Sequence, residues 1–272
     1  MEKYLENFKL IAEIGWNHMG NIDLAEKMIK AAKKSGCNYA KFQNWSVKNL
    51  KSGPWDHDGR REIYQKAELD KNKTEQIYKI CQDVGIEFLT SIFNTSEIEY
   101  VSKINNNVIK IPSPELRNND LLLAAANNFK EIILSTGASK INEVKKSVKL
   151  IKNNNLTLLH CVSIYPCPDD KLNLNKIEKL KKIHNKVGIS DHSTDILSCQ
   201  LSLPMNIVAI EKHFTIDNDL PGRDNKFALL PEDFTKIRES IDRYRVMMSS
   251  NVNDYFNDEN EVRELYTGRW SK

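Results

Sequence analysis

Residues 187–213 read VGISDHSTDILSCQLSLPMNIVAIEKH, and this stretch decides the fold. Val187–Ser190 is an apolar run of strand length, Ile196–Leu203 has helical spacing, and Ile207–His213 is a second strand-length run that ends in charge. Strand, helix, strand is the unit that parallel pairing requires, since two parallel neighbours cannot be joined by a tight turn. The two strands end in Asp191-His192 and in Glu211-Lys212-His213.

The same rhythm runs outward from this unit. Upstream, the spacing predicts strands at Leu10–Ile14, Tyr39–Gln43, Glu87–Ile92, Val108–Ile111, Glu131–Ser135 and Leu156–Cys161. Helices are predicted at Asp23–Lys34, Thr74–Val84, Ser96–Ile104, Asp120–Asn127, Ile141–Lys152 and Leu174–Ile183, with a last one at Pro231–Met248. Asn21 or Asp23 is placed to cap the first helix, Gly85 to stop the second, and Pro231 suits a first turn. A long polar loop follows the second strand. Eight strand–helix units in succession imply a parallel sheet, and closure into an α/β (β/α)₈ TIM barrel leaves no strand as an edge. The expected layout is a barrel over residues 1–248 and a polar tail over 249–272. An open doubly wound sheet is the alternative, weakened because no GxGxxG follows the first strand.

Composition agrees with one large enzyme-like domain. The chain has 272 residues, 40% hydrophobic and 28% charged, close to the roughly 250 residues of a single barrel. A net charge of +3 gives no argument for nucleic acid or an anionic membrane as partner. Five cysteines without a CxxC argue against a disulfide framework and for a reducing, cytoplasmic compartment. No secretory leader or membrane-spanning run is evident.

Barrel enzymes carry their chemistry at the C-terminal ends of the strands. Here the strand ends present Glu13; Lys41 and Gln43; Thr90 and Ser91; Lys110, Ser113 and Glu115; Ser135 and Thr136; His160, Ser163 and Tyr165; Asp191 and His192; Glu211 and His213. A single polar residue in such a place is unremarkable, but eight strand ends in a row point to a shared polar pocket. Strand parity puts Glu211 and His213 on one face and Lys212 on the other. Lys110, between Ile109 and Ile111, points into the mouth and needs an anion beside it. His192 and His213, on neighbouring strand ends, are suited either to share a divalent metal or to bond to each other. Asp191 and Glu211 would then support the histidines. His160 has a weaker case, and His57 and His184 are expected in solvent. The Ser135-Thr136-Gly137 turn offers hydroxyls and N–H groups to a phosphate.

These motifs have a counterpart. IAEIGWNHMGN at 11–21, KFQ at 41–43, IKIPSPEL at 109–116, ILSTG at 133–137, LLHCVSIYPCP at 158–168, SDHS at 190–193, and IEKHFT with PGRDNKFALLP over 210–231 resemble the N-acetylneuraminate (sialic acid) synthase family. The likeness runs from about residue 9 to 248. It implies a barrel transferase of the EC 2.5.1 type that joins phosphoenolpyruvate to an N-acetylmannosamine-like aldehyde and releases phosphate, in polysaccharide biosynthesis. His192 and His213 would hold the metal, commonly manganese, with magnesium or cobalt as alternatives. Lys41, Ser91, Lys110, Ser113, Ser135, Ser163 and Tyr165 would surround phosphoenolpyruvate, while Glu13, Gln43, Glu115 and Asp224 would meet the sugar or move protons. Glu115, Lys110, Tyr165 and Glu13 are the catalytic candidates. A homodimer is also implied.

The chain departs from the family pattern at Met19, Pro114, Ser91-Ile92-Phe93, Ser163 and Asn225. Residues 249–272 are too few for the antifreeze-like domain that, in relatives, brings an arginine to the sugar. Arg60, Arg61, Arg223 or a separate cap protein would substitute. Two other readings stand beside the synthase: a Schiff-base aldolase using Lys41, Lys110 or Lys212, and a non-catalytic barrel subunit.

Overall fold

The computed structural model describes residues 8–151, 155–250 and 254–271. Eight parallel strands close into a barrel in sequence order. They are β1 (Lys9–Gly15), β2 (Tyr39–Asn44), β3 (Glu87–Ile92), β4 (Val108–Ile111), β5 (Glu131–Ser135), β6 (Asn155–Cys161), β7 (Val187–Asp191) and β8 (Ala209–His213). Closure is the β1–β8 pairing, which runs from Lys9 opposite Ala209 to Glu13 opposite His213. The helices are α1 (Ile22–Lys34), α2 (Arg60–Ala67), α3 (Lys71–Val84), α4 (Thr95–Ile104), α5 (Asn119–Asn128), α6 (Ile141–Leu150), α7 (Lys176–Lys181), α8 (Leu197–Ser202) and α9 (Pro231–Met248).

Strand parity divides the apolar residues into two cores. Leu10, Ala12, Ile14, Ala40, Phe42, Ile109, Ile111, Ile132, Leu134, Ile189 and Ile210 pack outward with the helices into one large cluster. Ile11, Leu89, Ile133, Leu159 and Ala209 point inward and form a separate, smaller plug. At the N-terminal ends of the strands, Lys9 bonds to Glu131 below that plug. At the C-terminal ends the inward side chains are polar, so the plug separates a structural floor from a chemical mouth.

The caps behave as their chemistry requires. Asn21 accepts from Leu24 N at 3.1 Å, and Gly85 ends α3 in a left-handed conformation at φ +74°. Asp70 caps α3, so this helix begins before the expected Thr74. The expected end of the sixth helix, Lys152, lies outside the described residues. The larger difference is the loop after β2, which contains two 3₁₀ turns and all of α2. Its apolar positions span too few turns to give a helical period. Tertiary contact holds it: Trp45 Nε1 donates to Tyr64 O at 3.1 Å, and Tyr64 stacks on Trp16.

Gly188 shows how tightly the barrel is filled. A Cβ there would lie 2.5 Å from Ala209 O and 2.9 Å from Leu159 Cδ2. Gly188→Ala is therefore expected to lower unfolding free energy by about 1–3 kcal/mol. Denaturant unfolding checks this, and an unchanged midpoint would contradict the packing.

Candidate active site

Four charged side chains share the mouth of the barrel. Lys41 Nζ donates to Glu13 Oε2 at 2.6 Å and lies 3.7 Å from Glu211 Oε2. Lys110 Nζ donates to Glu211 Oε1 at 2.9 Å, and Ser190 Oγ donates to the same oxygen at 2.8 Å. Gln43 donates to the other Glu13 oxygen. All four charged groups are buried.

Burial penalises each charge, and the pairing decides where each group ends. For Glu13 burial prevails over the pull of Lys41, and its carboxyl titrates above the usual range. For Glu211 burial is outweighed by Lys110 and Lys41 together, and it stays well below that range. Lys41 is favoured as a cation because Glu13 and Glu211 overcome its burial. Lys110 is pushed down, burial exceeding what Glu211 restores. The mouth thus holds one carboxyl inclined to keep a proton and one lysine inclined to release one.

The hydroxyls gather on the side formed by β4 to β6. Ser113 Oγ accepts from Gly137 N at 2.9 Å and donates to Cys161 Sγ at 3.5 Å. A Cβ on Gly137 would collide with Ser163 Oγ and come within 2.8 Å of Ser113 Oγ, so these groups converge on one point. The buried Ser135 Oγ has no partner. Thr136 is different: its hydroxyl bonds to Leu159 O and serves the backbone. Ser91 is buried opposite Lys110 in the strand register. Glu115 sits on the 3₁₀ turn after β4 and accepts from Asn118 at 2.8 Å.

The two histidines meet across β7 and β8, with ring centroids 5.5 Å apart. Burial holds both at about 4, so both are neutral at pH 7. His192 Nδ1 lies 2.7 Å from Val162 O, which can only accept, leaving a lone pair on Nε2. His213 Nδ1 is buried without a hydrogen-bond partner, 3.5 Å from Asp224 Oδ2. Tyr165 lies tilted against His192 at 4.0 Å and meets His213 edge-on at 5.9 Å. Two neutral imidazoles with unused nitrogen lone pairs suit a divalent cation whose other positions go to water or substrate. Among the described residues no group of three His, Cys, Asp or Glu forms a fuller ligand set.

The chain matches the model of the NeuB family over residues 28–253. The chain belongs to the NeuB family. It is 31% identical to the N,N'-diacetyllegionaminic acid synthase of Campylobacter jejuni over 260 residues, covering 89% of this chain and 78% of that protein. It is 32% identical to the pseudaminic acid synthase of the same species, covering 87% and 72%. The crystal structure of N-acetylneuraminic acid (sialic acid) synthetase from Leptospira borgpetersenii in complex with citrate superposes with a TM-score of 0.87 at 28% identity, over 98% of this chain and 94% of that one. This NeuB protein is therefore an enzyme with the acid-synthase barrel.

Several positions differ from their sequence reading. Asp191 does not support His192. It faces the helix layer, where it accepts from Lys212 and, with Ser193 and Ser198 also donating, forms a closed network. Lys212 also donates to Ser193 O at 2.8 Å, so this lysine has no access to the mouth and is excluded as an imine-forming residue. His160 faces outward too, bonded to Leu172 O at 2.8 Å. His57 is exposed as expected, whereas His184 is half-buried beside Lys186. Asn225 is a structural knot, donating to Pro221 O and Asn17 O and accepting from Thr215. Met19 has φ +49°, a left-handed conformation that a methionine rarely adopts. Sequence reasoning did not single out Cys161, Trp16 or Trp45 as site residues. Trp16 Nε1 bonds to Asp224, and only the fold brings those loops together.

Two expectations follow. Removing Lys212 strands a buried carboxylate, so Lys212→Met should lower stability by about 3–5 kcal/mol, read by urea unfolding. His18, His192 and His213 are each lowered from about 6.5 to about 4 by burial. The unfolded chain takes up these protons first, so their stabilisation is complete above pH 6.5 and is lost as pH falls toward 4. The Tm of metal-free protein should fall across that window, and His18→Gln should make the fall shallower.

Proposed function

We propose that this NeuB enzyme condenses phosphoenolpyruvate with an N-acylated amino-sugar aldehyde, N-acetylmannosamine-like, to give a sialic-acid-type nonulosonic acid and phosphate. The observation that carries the reading is the pairing of two buried lysines with two glutamates beside two neutral imidazoles, all at the C-terminal mouth of the barrel.

Lys110 uses one N–H on Glu211, and its remaining N–H groups are free to meet the anionic oxygens of phosphoenolpyruvate together with Lys41. Ser113, Ser163 and the Gly137 turn receive further oxygens, with Ser91 and Ser135 alongside. A divalent cation held by His192 and His213, manganese with magnesium or cobalt as alternatives, would polarise the aldehyde oxygen as a Lewis acid. The enol carbon of phosphoenolpyruvate forms the new bond to the aldehyde carbon, water adds at the neighbouring carbon, and phosphate leaves by C–O cleavage. Glu13, inclined to hold a proton and opposite His213 in register, is placed to give one to the nascent hydroxyl, with Gln43 orienting it. Tyr165 borders phosphoenolpyruvate, and Glu115 and Asp224 border the sugar end. The catalytic unit is the barrel of residues 1–248, with 249–272 as a tail, working as a cytoplasmic homodimer. No described helix is long and apolar enough to cross a membrane.

Phosphate release with phosphoenolpyruvate, manganese and amino-sugar aldehydes tests this reading. Turnover should vanish with chelator, and His192→Ala and His213→Ala should each weaken manganese binding at least about tenfold. Lys110→Ala should lower kcat/KM by about 10²–10³. A borohydride-stable adduct formed without metal would favour the aldolase and overturn the synthase.

A further inference from the structure

The mouth is chemically two-sided. Hydroxyls and the Gly137 turn line the side formed by β4 to β6, but the residues that directly follow β1, β2 and β3 are Trp16, Trp45 and Phe93. Tyr64, from α2, closes the group. Trp16 and Tyr64 stack at 5.2 Å, Trp45 meets both edge-on at 6.1 and 5.8 Å, and Phe93 meets Trp45 at 6.1 Å. All four are half-buried.

The indole N–H groups of this wall are already occupied. Trp16 Nε1 donates to Asp224, and Trp45 Nε1 donates to Tyr64 O. What remains to a ligand is ring face. Two cations of the same rim are engaged as well. Arg60 bonds to both oxygens of Asp58, and Arg61 Nε bonds to Asp56 at 2.6 Å. A phosphate arriving here would meet two paired arginines and three carboxylates, Asp56, Asp58 and Asp224. The wall is tied to the histidines through Asp224, whose Oδ2 is 3.5 Å from His213 Nδ1.

Resting on the synthase reading, we propose that Trp16, Trp45, Tyr64 and Phe93 form the acceptor-specificity wall, selecting an uncharged acylamino or deoxy aldose over a sugar phosphate. The aldehyde end lies toward the histidines, and the remote carbons lie against the rings. Acetyl methyl and deoxy methyl groups gain from apolar ring faces. A phosphate dianion loses hydration there, where Arg60 and Arg61 are already paired and the carboxylates Asp56, Asp58 and Asp224 repel it.

The test compares N-acetylmannosamine, its phosphate ester at the primary hydroxyl, and a diacetamido-deoxy aldose in the phosphate-release assay. The uncharged aldoses should exceed the phosphate ester in kcat/KM by at least about tenfold, and Trp45→Ala should raise the KM for the uncharged acceptor by about tenfold. The KM for phosphoenolpyruvate should move less than about twofold, and Trp45→Phe should keep most of the acceptor affinity. Preference for the phosphate ester, or a Trp45→Ala protein whose acceptor KM is unchanged, overturns the inference alone. A Trp45→Ala protein that fails to fold leaves the wild-type preference and the Trp45→Phe variant to decide. Absence of phosphate release with every acceptor overturns both this inference and the synthase reading.

Discussion

The buried carboxylate of Glu211 lets two ammonium groups stand at the top of a closed barrel. It bonds to Lys110 at 2.9 Å and faces Lys41 at 3.7 Å, with Ser190 as a third neighbour. Without it, two cations would share a space from which most water is excluded, at a desolvation cost of several kcal/mol each. Glu13 takes the other side of Lys41. The result is a near-neutral cluster in which proton affinities are spread apart: Glu13 up, Glu211 down, Lys110 down. Spreading of this kind is what acid–base chemistry at neutral pH needs.

A second ion pair works from behind. Lys212 and Asp191 meet on the outer surface of the barrel, each one residue away from a histidine that faces inward. Period-two alternation forces this arrangement: a strand end that sends His213 into the mouth sends Lys212 to the helix layer. The lysine joins β8 to the start of the loop after β7 through Ser193, so the segments that carry both imidazoles are held to one another. The polar residues of these two strands therefore divide into a chemical set and a supporting set.

The relatives place this architecture among nonulosonic acid synthases, and the aromatic side of its mouth is built by loops. Trp16 and Trp45 occupy the first loop positions after β1 and β2, and α2 lies against them. In a barrel the strands are constrained by closure while the loops are free to vary, so substrate preference resides there. On the proposed reading, the hydroxyl side and the aromatic side of the mouth correspond to two unlike reactants, one a compact anion and the other a neutral chain.

Much was legible in the sequence. Eight alternating runs imply the barrel, and parity alone sends Glu13, Lys41, Lys110, Glu211 and His213 to one surface and Lys212 to the other, because side-chain direction along a strand is a local property. Pairing is not local. Lys110 and Glu211 are separated by 101 residues and meet because closure brings β4 and β8 across the same mouth. Which carboxylate neutralises which lysine depends on barrel width and stagger, and no spacing in the chain records those. Asp191 was misread as a support of His192 although alternation already turns neighbouring side chains apart; only its partner, Lys212, comes from another strand. The α2 helix and the Trp16–Asp224 bond were hidden too, since a short helix with a small apolar face has no periodicity of its own and is held by rings supplied from β1 and β2. The chain by itself determined the fold and the facing of its chemistry; tertiary closure decided the partners.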